Sequence, residues 1–219
     1  ISCTAYRGFG VPQSLFTIET AMAHVAFELG VRPEVIKEKN LYHKGDKTLT
    51  GYELPDDHTR ACWFACKKSC DWDARVKEVE EFNAKNVYKK RGIAMVPVVS
   101  TMGFESEFMM KGHALVQIYG DGSVSVSHGG IEMGQGVHTK MQMIAAETLG
   151  IDLSYVKVLP TATDKTVNMP PTAGSTGTDL HGGAVFRACK QLSENLKPIK
   201  DEHPEWDWKQ ICSYAYFNK

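Results

Sequence analysis

Long hydrophobic runs and a surplus of charge of either sign are both absent from this sequence of 219 residues. No apolar stretch approaches the roughly 20 residues that a membrane-spanning helix needs, and the first twenty residues lack the basic start and apolar centre of a signal peptide. The 25 Lys and Arg residues and the 26 Asp and Glu residues are interspersed and leave a net charge of −1. The sequence therefore indicates neither a membrane nor a nucleic-acid partner.

Metal-ligand motifs are missing as well. The six cysteines include no C-x-x-C pair, so the ligand spacing of a structural zinc site is absent. Cys62, Cys66 and Cys70 recur every four residues, which places them on one stripe of a helix, and we expect these thiols to face a hydrophobic core. Scattered cysteines without a secretory signal favour a reducing, cytoplasmic compartment.

What the sequence does contain is a hydrophobic fraction of 42% and a charged fraction of 23%, which are typical of a globular protein with a sizeable core. Apolar residues at helical spacing predict a buried helix over residues 11–30, ended by Gly30. A short helix is expected to begin near Pro33, and residues 58–89 are expected to be mostly helical.

The pattern changes after residue 90. Residues 113–128 alternate between apolar and polar side chains around a Gly-Asp-Gly turn, which predicts a β-hairpin, and residues 155–160 predict a further strand. A long helix is expected from residue 177. The predicted fold class is α+β, with a mainly helical part over residues 1–90 and a mixed strand–loop–helix part over residues 91–219.

Glycine-rich segments precede predicted helices at three places. These are residues 4–13 (TAYRGFGVPQ), residues 129–136 (GGIEMGQG, here the MGQG loop) and residues 169–183 (MPPTAGSTGTDLHGG), of which residues 171–177 are here called the PTAGSTG turn. The helix after the MGQG loop is predicted to end at Gly150. Glycine permits positive φ, and N–H groups at a helix start favour an anionic ligand. A plain structural turn is the alternative, because the MGQG loop matches neither G-x-x-x-x-G-K-[ST] nor G-x-G-x-x-G.

Together these segments resemble the molybdenum hydroxylases, the family of xanthine dehydrogenase and aldehyde oxidase. The resemblance rests on TAYRGFGVPQ, on DGSVSVSHGGIEMGQGVHTKM and on PPTAGSTGTDLHGGAV, and it extends over nearly the whole chain. It implies a molybdopterin-binding region. It also implies that FAD and 2Fe-2S clusters lie in segments outside this sequence, and that the full-length protein is a homodimer. Since the chain begins with Ile1 inside a glycine-rich stretch, we expect it to be a piece of a longer polypeptide.

The resemblance assigns roles to particular residues. Met133, Gly134 and Gln135 would contact the pterin, with the Gln135 amide facing the molybdenum centre and Arg7 beside that centre. The backbone N–H groups of Gly174, Ser175, Thr176 and Gly177 would bind the phosphate side of the cofactor. Phe9 and Phe104 would form aromatic walls around a flat substrate, and Glu105 would stand at that wall where xanthine dehydrogenases usually have threonine. No protein side chain would ligate the metal, which the pterin dithiolene holds.

The implied activity is oxidation of purines, or of aldehydes and N-heterocycles, with oxygen derived from water; both substrate classes stay open. The family's GEPP stretch, which carries the general-base glutamate, does not occur in this sequence, so we expect the chain alone to be inactive and to bind no cofactor by itself. A non-catalytic binding or assembly module of the same fold is the alternative function. The implied location is the cytoplasm, with the peroxisome as the alternative.

Three further polar groups near the glycines are interpreted as structural. We expect Glu132 to bond local N–H groups or to form a salt bridge. We expect His128 and His138 to be hydrogen-bond partners and not ligands. His181, which precedes a glycine pair, is expected to have a structural role.

Overall fold

The computed structural model describes residues 6–49, 51–100, 102–104 and 106–218. The chain forms two compact units, Ile1–Ser100 and Thr101–Lys219, and each is described here by itself. The first unit is helical and the second combines helices with a small sheet, so the predicted α+β class is confirmed. The predicted division of a molybdopterin-binding region into a part over residues 1–90 and a part over residues 91–219 stays a prediction.

In the first unit, prolines and a glycine mark the beginnings and ends of helices, as the sequence predicts. The helices of this unit are α1 (Val11–Glu28), α2 (Pro33–Lys39), α3 (His58–Ser69) and α4 (Trp72–Lys85). Proline lies in the first turn of both α1 and α2, where its missing N–H removes no helical hydrogen bond. Gly30 takes φ +63° beyond α1, and the Val31 N–H donates to the Ala26 carbonyl at 3.0 Å, which closes a Schellman motif.

The prediction that α1 is buried is wrong for this structure. Ala26 is its one buried residue, whereas Ile18, Val25 and Leu29 are 50%, 47% and 63% exposed. The spacing predicted the helix correctly, since periodicity shows which face is apolar. Periodicity does not show whether another element covers that face.

The cysteine stripe was also placed wrongly. Cys62 and Cys66 are exposed on α3, and Cys70 is partly buried beyond its last residue. The residue of α3 that is buried is Trp63, whose indole N–H donates to Glu38 Oε1 at 2.9 Å. The four-residue spacing predicts that the thiols share a stripe, but it does not show whether another element covers that stripe. Cys3 lies outside the described residues.

The segment that follows α4 has no regular secondary structure over residues 87–100. A buried ion pair holds its middle: Lys37 Nζ lies 2.7 Å from Glu19 Oε2 and donates to the Met95 carbonyl at 3.1 Å. Lys37 is 7% exposed. The charge is thus paired, as a buried lysine requires.

The second unit contains a three-stranded sheet in the order β1-β2-β3. Strands β1 (Ala114–Ile118) and β2 (Val124–His128) form the predicted antiparallel hairpin, and β3 (Val156–Val158) pairs parallel to β2. Every residue of the central strand β2 is buried. The alternation of valine and serine therefore separates two covered faces of the strand, not a core face and a solvent face.

Helices α5 (Val137–Leu149), α6 (Gly183–Glu202) and α7 (Trp208–Asn218) complete the second unit, and a five-residue π-helical turn over Thr178–Gly182 leads into α6. The core consists of residues from β1, β2, β3, α5 and α6, among them the fully buried Val126, Met141, Ala145, Val185 and Cys189. Gly150 ends α5 at φ +69°, as predicted. Among the described residues, no helix is long and apolar enough to cross a membrane.

Glycine brings α5 and the start of α6 close together. A Cβ atom on Gly182 would lie 2.7 Å from Ile144 Cδ1 and 3.4 Å from Met141 Cε, so the missing side chain permits the close approach. At the beginning of these helices, a Cβ atom on Gly177 would contact Val137 Cγ2 at 4.0 Å. The MGQG loop and the PTAGSTG turn therefore lie beside each other.

Candidate functional site

The MGQG loop is organised around the carboxylate of Glu132. The N–H groups of Gly134 and Gly136 each donate to Glu132 Oε1 at 2.9 Å, and the His138 N–H donates to Oε2 at 3.2 Å. Desolvation raises the pKa of Glu132, but these backbone hydrogen bonds outweigh it and hold the pKa below its usual value. The expected structural role of Glu132 is confirmed.

The start of α5 therefore carries its own anion. The loop amides and the helix dipole favour negative charge there, as the glycine pattern indicated, and the carboxylate of Glu132 supplies that charge. For this helix start, the plain structural turn that was weighed against a ligand is the better interpretation. An external anion would have to displace Glu132.

The side chain of Gln135 also bonds within its own loop. Its Oε1 accepts from the Met133 N–H at 2.5 Å, and its Nε2 donates to the Ile131 carbonyl at 2.8 Å. Met133 is 48% exposed, and Gln135 is partly buried. The predicted contacts of Met133, Gly134 and Gln135 with a cofactor stay predictions. These two bonds use one N–H of the Gln135 amide and leave its second N–H as a further donor.

The PTAGSTG turn presents free donors where the MGQG loop does not. Gly174 and Ser175 both take left-handed backbone conformations, with φ +62° and +58°. The helical segment after Gly177 has no side-chain cap, and the N–H groups of Gly174, Ser175 and Gly177 meet no acceptor among the described residues. The N–H and the hydroxyl of Thr176 both donate to the Ala173 carbonyl, at 3.4 and 3.1 Å.

Phe104 lies against this turn. A Cβ atom on Gly174 would be 3.1 Å from Phe104 Cε2 and 3.0 Å from the Gly103 carbonyl oxygen, so only glycine fits beneath the ring. The Gly103 N–H donates to the Gly174 carbonyl at 2.8 Å and fixes the ring's position. The structure thus unites one predicted substrate wall with the predicted phosphate-binding turn. Glu105, the other predicted residue here, lies outside the described residues.

Arg7 and Phe9 belong to the first unit. Gly8, Phe9 and Gly10 take φ values of +98°, +49° and +86° in succession, and Phe9 is 58% exposed. A left-handed conformation is costly for a phenylalanine and marks a constrained turn. Arg7 is exposed on this turn. Their predicted places beside a metal centre and at a substrate wall stay predictions.

A group of histidines and threonines contacts the MGQG loop and the PTAGSTG turn. The glycine pattern in the sequence did not indicate this group. His128 is fully buried, and its Nε2 lies 2.8 Å from His138 Nδ1, so the interpretation of both as hydrogen-bond partners is confirmed. The hydroxyl of Thr161 shares its one proton between the carbonyl oxygens of His128 and Gly130, which lie 3.1 and 2.9 Å from Oγ1. The Ile131 N–H donates to Thr172 Oγ1 at 2.9 Å, which ties the MGQG loop to the PTAGSTG turn. No motif spacing in the sequence predicts these contacts.

Residues 65–217 match the family described as "Molybdopterin cofactor-binding domain", and residues 1–41 match a second family with the same description. The chain belongs to the molybdopterin cofactor-binding domain family. Its predicted resemblance to xanthine dehydrogenase and aldehyde oxidase is confirmed by curated relatives. The chain is 43% identical to "Xanthine dehydrogenase" of Emericella nidulans, with 100% of the chain aligned, and 41% identical to "Aldehyde oxidase 3" of Mus musculus, with 98% aligned.

Solved structures agree with the fold of this domain family. Quinoline 2-oxidoreductase from Pseudomonas putida superposes with a TM-score of 0.65 over 97% of the chain and 31% of its own, at 19% identity, which shows the fold alone. The aldehyde oxidoreductase from Desulfovibrio desulfuricans superposes with a TM-score of 0.64 over 88% of the chain and 21% of its own, at 28% identity. The chain spans 16% of the length of each curated relative named above.

The donor set of the second unit fits the anionic part of a molybdopterin cofactor. The open N–H groups of the PTAGSTG turn precede the 20 residues of α6, so backbone amides and the helix dipole both favour a phosphate there. Gly134 and Gly136 leave open space where a Cβ would stand, with nothing within 4 Å. Within the described ranges, no group of three or more His, Cys, Asp or Glu side chains could hold a metal ion.

Proposed function

We propose that this chain forms part of the cofactor-binding region of a molybdenum hydroxylase that oxidises purines, or aldehydes and N-heterocycles. The observation that carries the proposal is the PTAGSTG turn with its uncapped helix start, inside a family match that covers residues 65–217. The names of the relatives support both substrate classes, since xanthine dehydrogenase and aldehyde oxidase are similarly related to the chain. When bound, the cofactor supplies the molybdenum centre at which the substrate is oxidised.

The chain's own residues would hold and enclose that cofactor. The N–H groups of Gly174, Ser175 and Gly177 would donate to its phosphate, which brings two negative charges to a site with free donors. Because Ile131 is bonded to Thr172, the MGQG loop would keep a fixed position beside that phosphate. Gln135 and Met133 would then contact the pterin from the loop.

Substrate contacts would come from aromatic side chains. Phe104 is held against Gly174 and presents a ring beside the turn, so a flat heterocycle or aromatic aldehyde would stack on it. Arg7, Phe9 and Glu105 keep the roles that the resemblance implies. In the complete enzyme, FAD and 2Fe-2S clusters would accept the electrons, and the general base would come from another segment.

The test is the molybdenum and pterin content of protein purified from a host that makes the cofactor. The 219-residue chain is compared with a longer polypeptide that contains it. We expect the chain alone to bind neither, and the longer polypeptide to bind both in equal amounts. A longer polypeptide that stays empty, while a reference molybdenum enzyme from the same host is loaded, would contradict the proposal and favour a non-catalytic module.

The products that the loaded polypeptide forms identify its substrate class. The loaded polypeptide is assayed for urate formation from xanthine and for carboxylate formation from an aromatic aldehyde. Glu105→Thr restores the residue that the resemblance associates with xanthine dehydrogenases. If Glu105 stands at the substrate wall, this change should raise purine oxidation relative to aldehyde oxidation, whereas an unchanged ratio would place Glu105 away from the substrate.

A further inference from the structure

The MGQG loop begins with a closely packed glycine pair, in which Gly129 is partly buried and Gly130 is buried. A Cβ atom on Gly129 would lie 2.3 Å from Met169 Cγ and 3.3 Å from His181 Cε1. A Cβ atom on Gly130 would lie 2.9 Å from His181 Cδ2 and 3.1 Å from His128 Nδ1. Two imidazole rings thus close on this pair, one from the end of β2 and one from the π-helical turn before α6.

The hydrogen bonds of His128 determine its protonation. The Gly130 N–H donates to His128 Nδ1 at 3.1 Å, so Nδ1 must carry a lone pair and not a proton. The neutral ring then holds its proton on Nε2, which donates to His138 Nδ1 at 2.8 Å. His138, accepting at Nδ1, holds its own proton on Nε2. A doubly protonated His128 would break the bond to Gly130.

The surroundings of His128 favour the neutral form. Burial, with the neighbouring His138 and His181 rings, lowers its pKa to about 4, and the carboxylate of Glu132 opposes this only weakly. His181 lies 5.7 Å from His128 between ring centres. Burial also lowers the pKa of His181.

We propose that His128 and His181 are positioning residues that clamp Gly129 and Gly130, with His128 held in its Nε2–H tautomer, and so fix the MGQG loop relative to the PTAGSTG turn. Thr161 holds the same point through its bonds to the carbonyls of His128 and Gly130, and Ile131, the next residue, bonds Thr172 of the turn. The inference that this clamp helps to position the cofactor-binding loop rests on the proposed function. The clamp itself requires no ligand and is testable without one.

The first test reads the tautomer directly in the wild-type chain by nitrogen-15 NMR of the imidazole rings. We expect His128 to show an unprotonated Nδ1 and a protonated Nε2 throughout the range from pH 8 to pH 5. A mixture of tautomers, or a protonation midpoint near the ordinary histidine value of about 6.5, would overturn the proposal.

The second test separates the two hydrogen bonds of His128. The asparagine amide lies close to the position of histidine Nδ1, and the glutamine amide close to that of Nε2. His128→Asn should therefore keep the bond from the Gly130 N–H, while His128→Gln should keep the bond to His138 and lose the one from Gly130. His43→Asn, at a side chain that is 59% exposed, is the control for the substitution itself.

The readout is amide hydrogen exchange at Gly130 and Ile131, compared with the amides of β2. We expect exchange at both residues to accelerate about tenfold or more in His128→Gln and to stay near wild type in His128→Asn, because only the first variant loses the hydrogen bond from the Gly130 N–H. Equal acceleration in both variants would mean that ring volume alone matters and would overturn the clamp. Acceleration at Gly130 without Ile131 would show that the clamp does not reach the turn. If β2 also loses protection, the tautomer measurement on the wild type decides.

Discussion

The two glycine-rich helix starts of the second unit lie side by side, but they differ in what meets their backbone N–H groups. At α5 the carboxylate of Glu132 accepts three backbone N–H groups from the MGQG loop and the first turn of the helix. At the PTAGSTG turn no side chain caps the helical segment. We therefore expect an external anion at the PTAGSTG turn, which the chain leaves uncapped, and not at the start of α5.

The difference also assigns a task to each segment. A loop that is filled by its own carboxylate is already ordered, which suits it to present Met133 and Gln135 to a ligand. The open turn keeps its donors unpaired, so it suits direct contact with an anionic group. Substitutions that disturb one segment and spare the other test this division.

The largest effect is expected at Gly112, which packs against the π-helical turn that follows the PTAGSTG turn. A Cβ atom on Gly112 would lie 2.2 Å from the Leu180 carbonyl oxygen, which is backbone of the π-helical turn. Gly112→Ala should destabilise the chain by about 1–3 kcal/mol and displace the PTAGSTG turn. Thermal unfolding measures the loss. Gly92→Ala, where nothing lies within 4 Å, is the control and should change the midpoint little.

The next effect concerns the filled loop. Glu132→Gln removes the charge that three N–H groups share, so amide exchange at Gly134 and Gly136 should accelerate while the PTAGSTG turn stays unchanged. Glu147→Gln, at an exposed position of the following helix α5, is the control. Because the pKa of Glu132 is lowered from 4.5, its contribution is complete above that pH and is lost as the pH falls through the folded-state value. The variant should lack this acid-dependent loss of loop protection, and a wild-type pattern would contradict the assigned role.

A smaller effect is expected at Ser175, whose φ of +58° suits glycine better than serine. Ser175→Gly should raise the free energy of unfolding by up to about 1 kcal/mol, since the left-handed strain is relieved. Ser213→Gly in the middle of α7 should lower it by about 0.5 kcal/mol, because serine lies between alanine and glycine in helix propensity. Chemical denaturation measures the free energy of unfolding of both variants. A change of the same sign in both would contradict the inference that Ser175 is strained.

The smallest effect is expected for the direct binding of inorganic phosphate, which should be weak. Amide chemical shifts of Gly177 and Thr178 should respond to phosphate, with a Kd on the order of 1 mM or weaker, while those of Gly136 and His138 should not. In Glu132→Gln the second pair should begin to respond. Equal responses of both pairs in the wild type would contradict the contrast between a filled and an open helix start.

Local signals in the sequence predicted much of this architecture. The hairpin of β1 and β2 follows from alternation, and the ends of α1 and α5 follow from Gly30 and Gly150. Burial could not be predicted in the same way, because the exposure of α1 depends on what other segments cover. The capture of three amides by Glu132 depends on φ values in a loop, and the contact of Phe104 with Gly174 joins residues 70 positions apart. Neither leaves a spacing pattern in the sequence.

The π-helical turn over Thr178–Gly182 places one more residue in its turn than an α-helix would. Deletion of a single residue there would restore regular helical winding and rotate everything before it by about 100° about the helix axis. Helix α6 would remain seated through Val185 and Cys189, which are both fully buried. The direction in which the turn's amides point is therefore set by the length of the chain at this position, independently of the packing of the helix that follows.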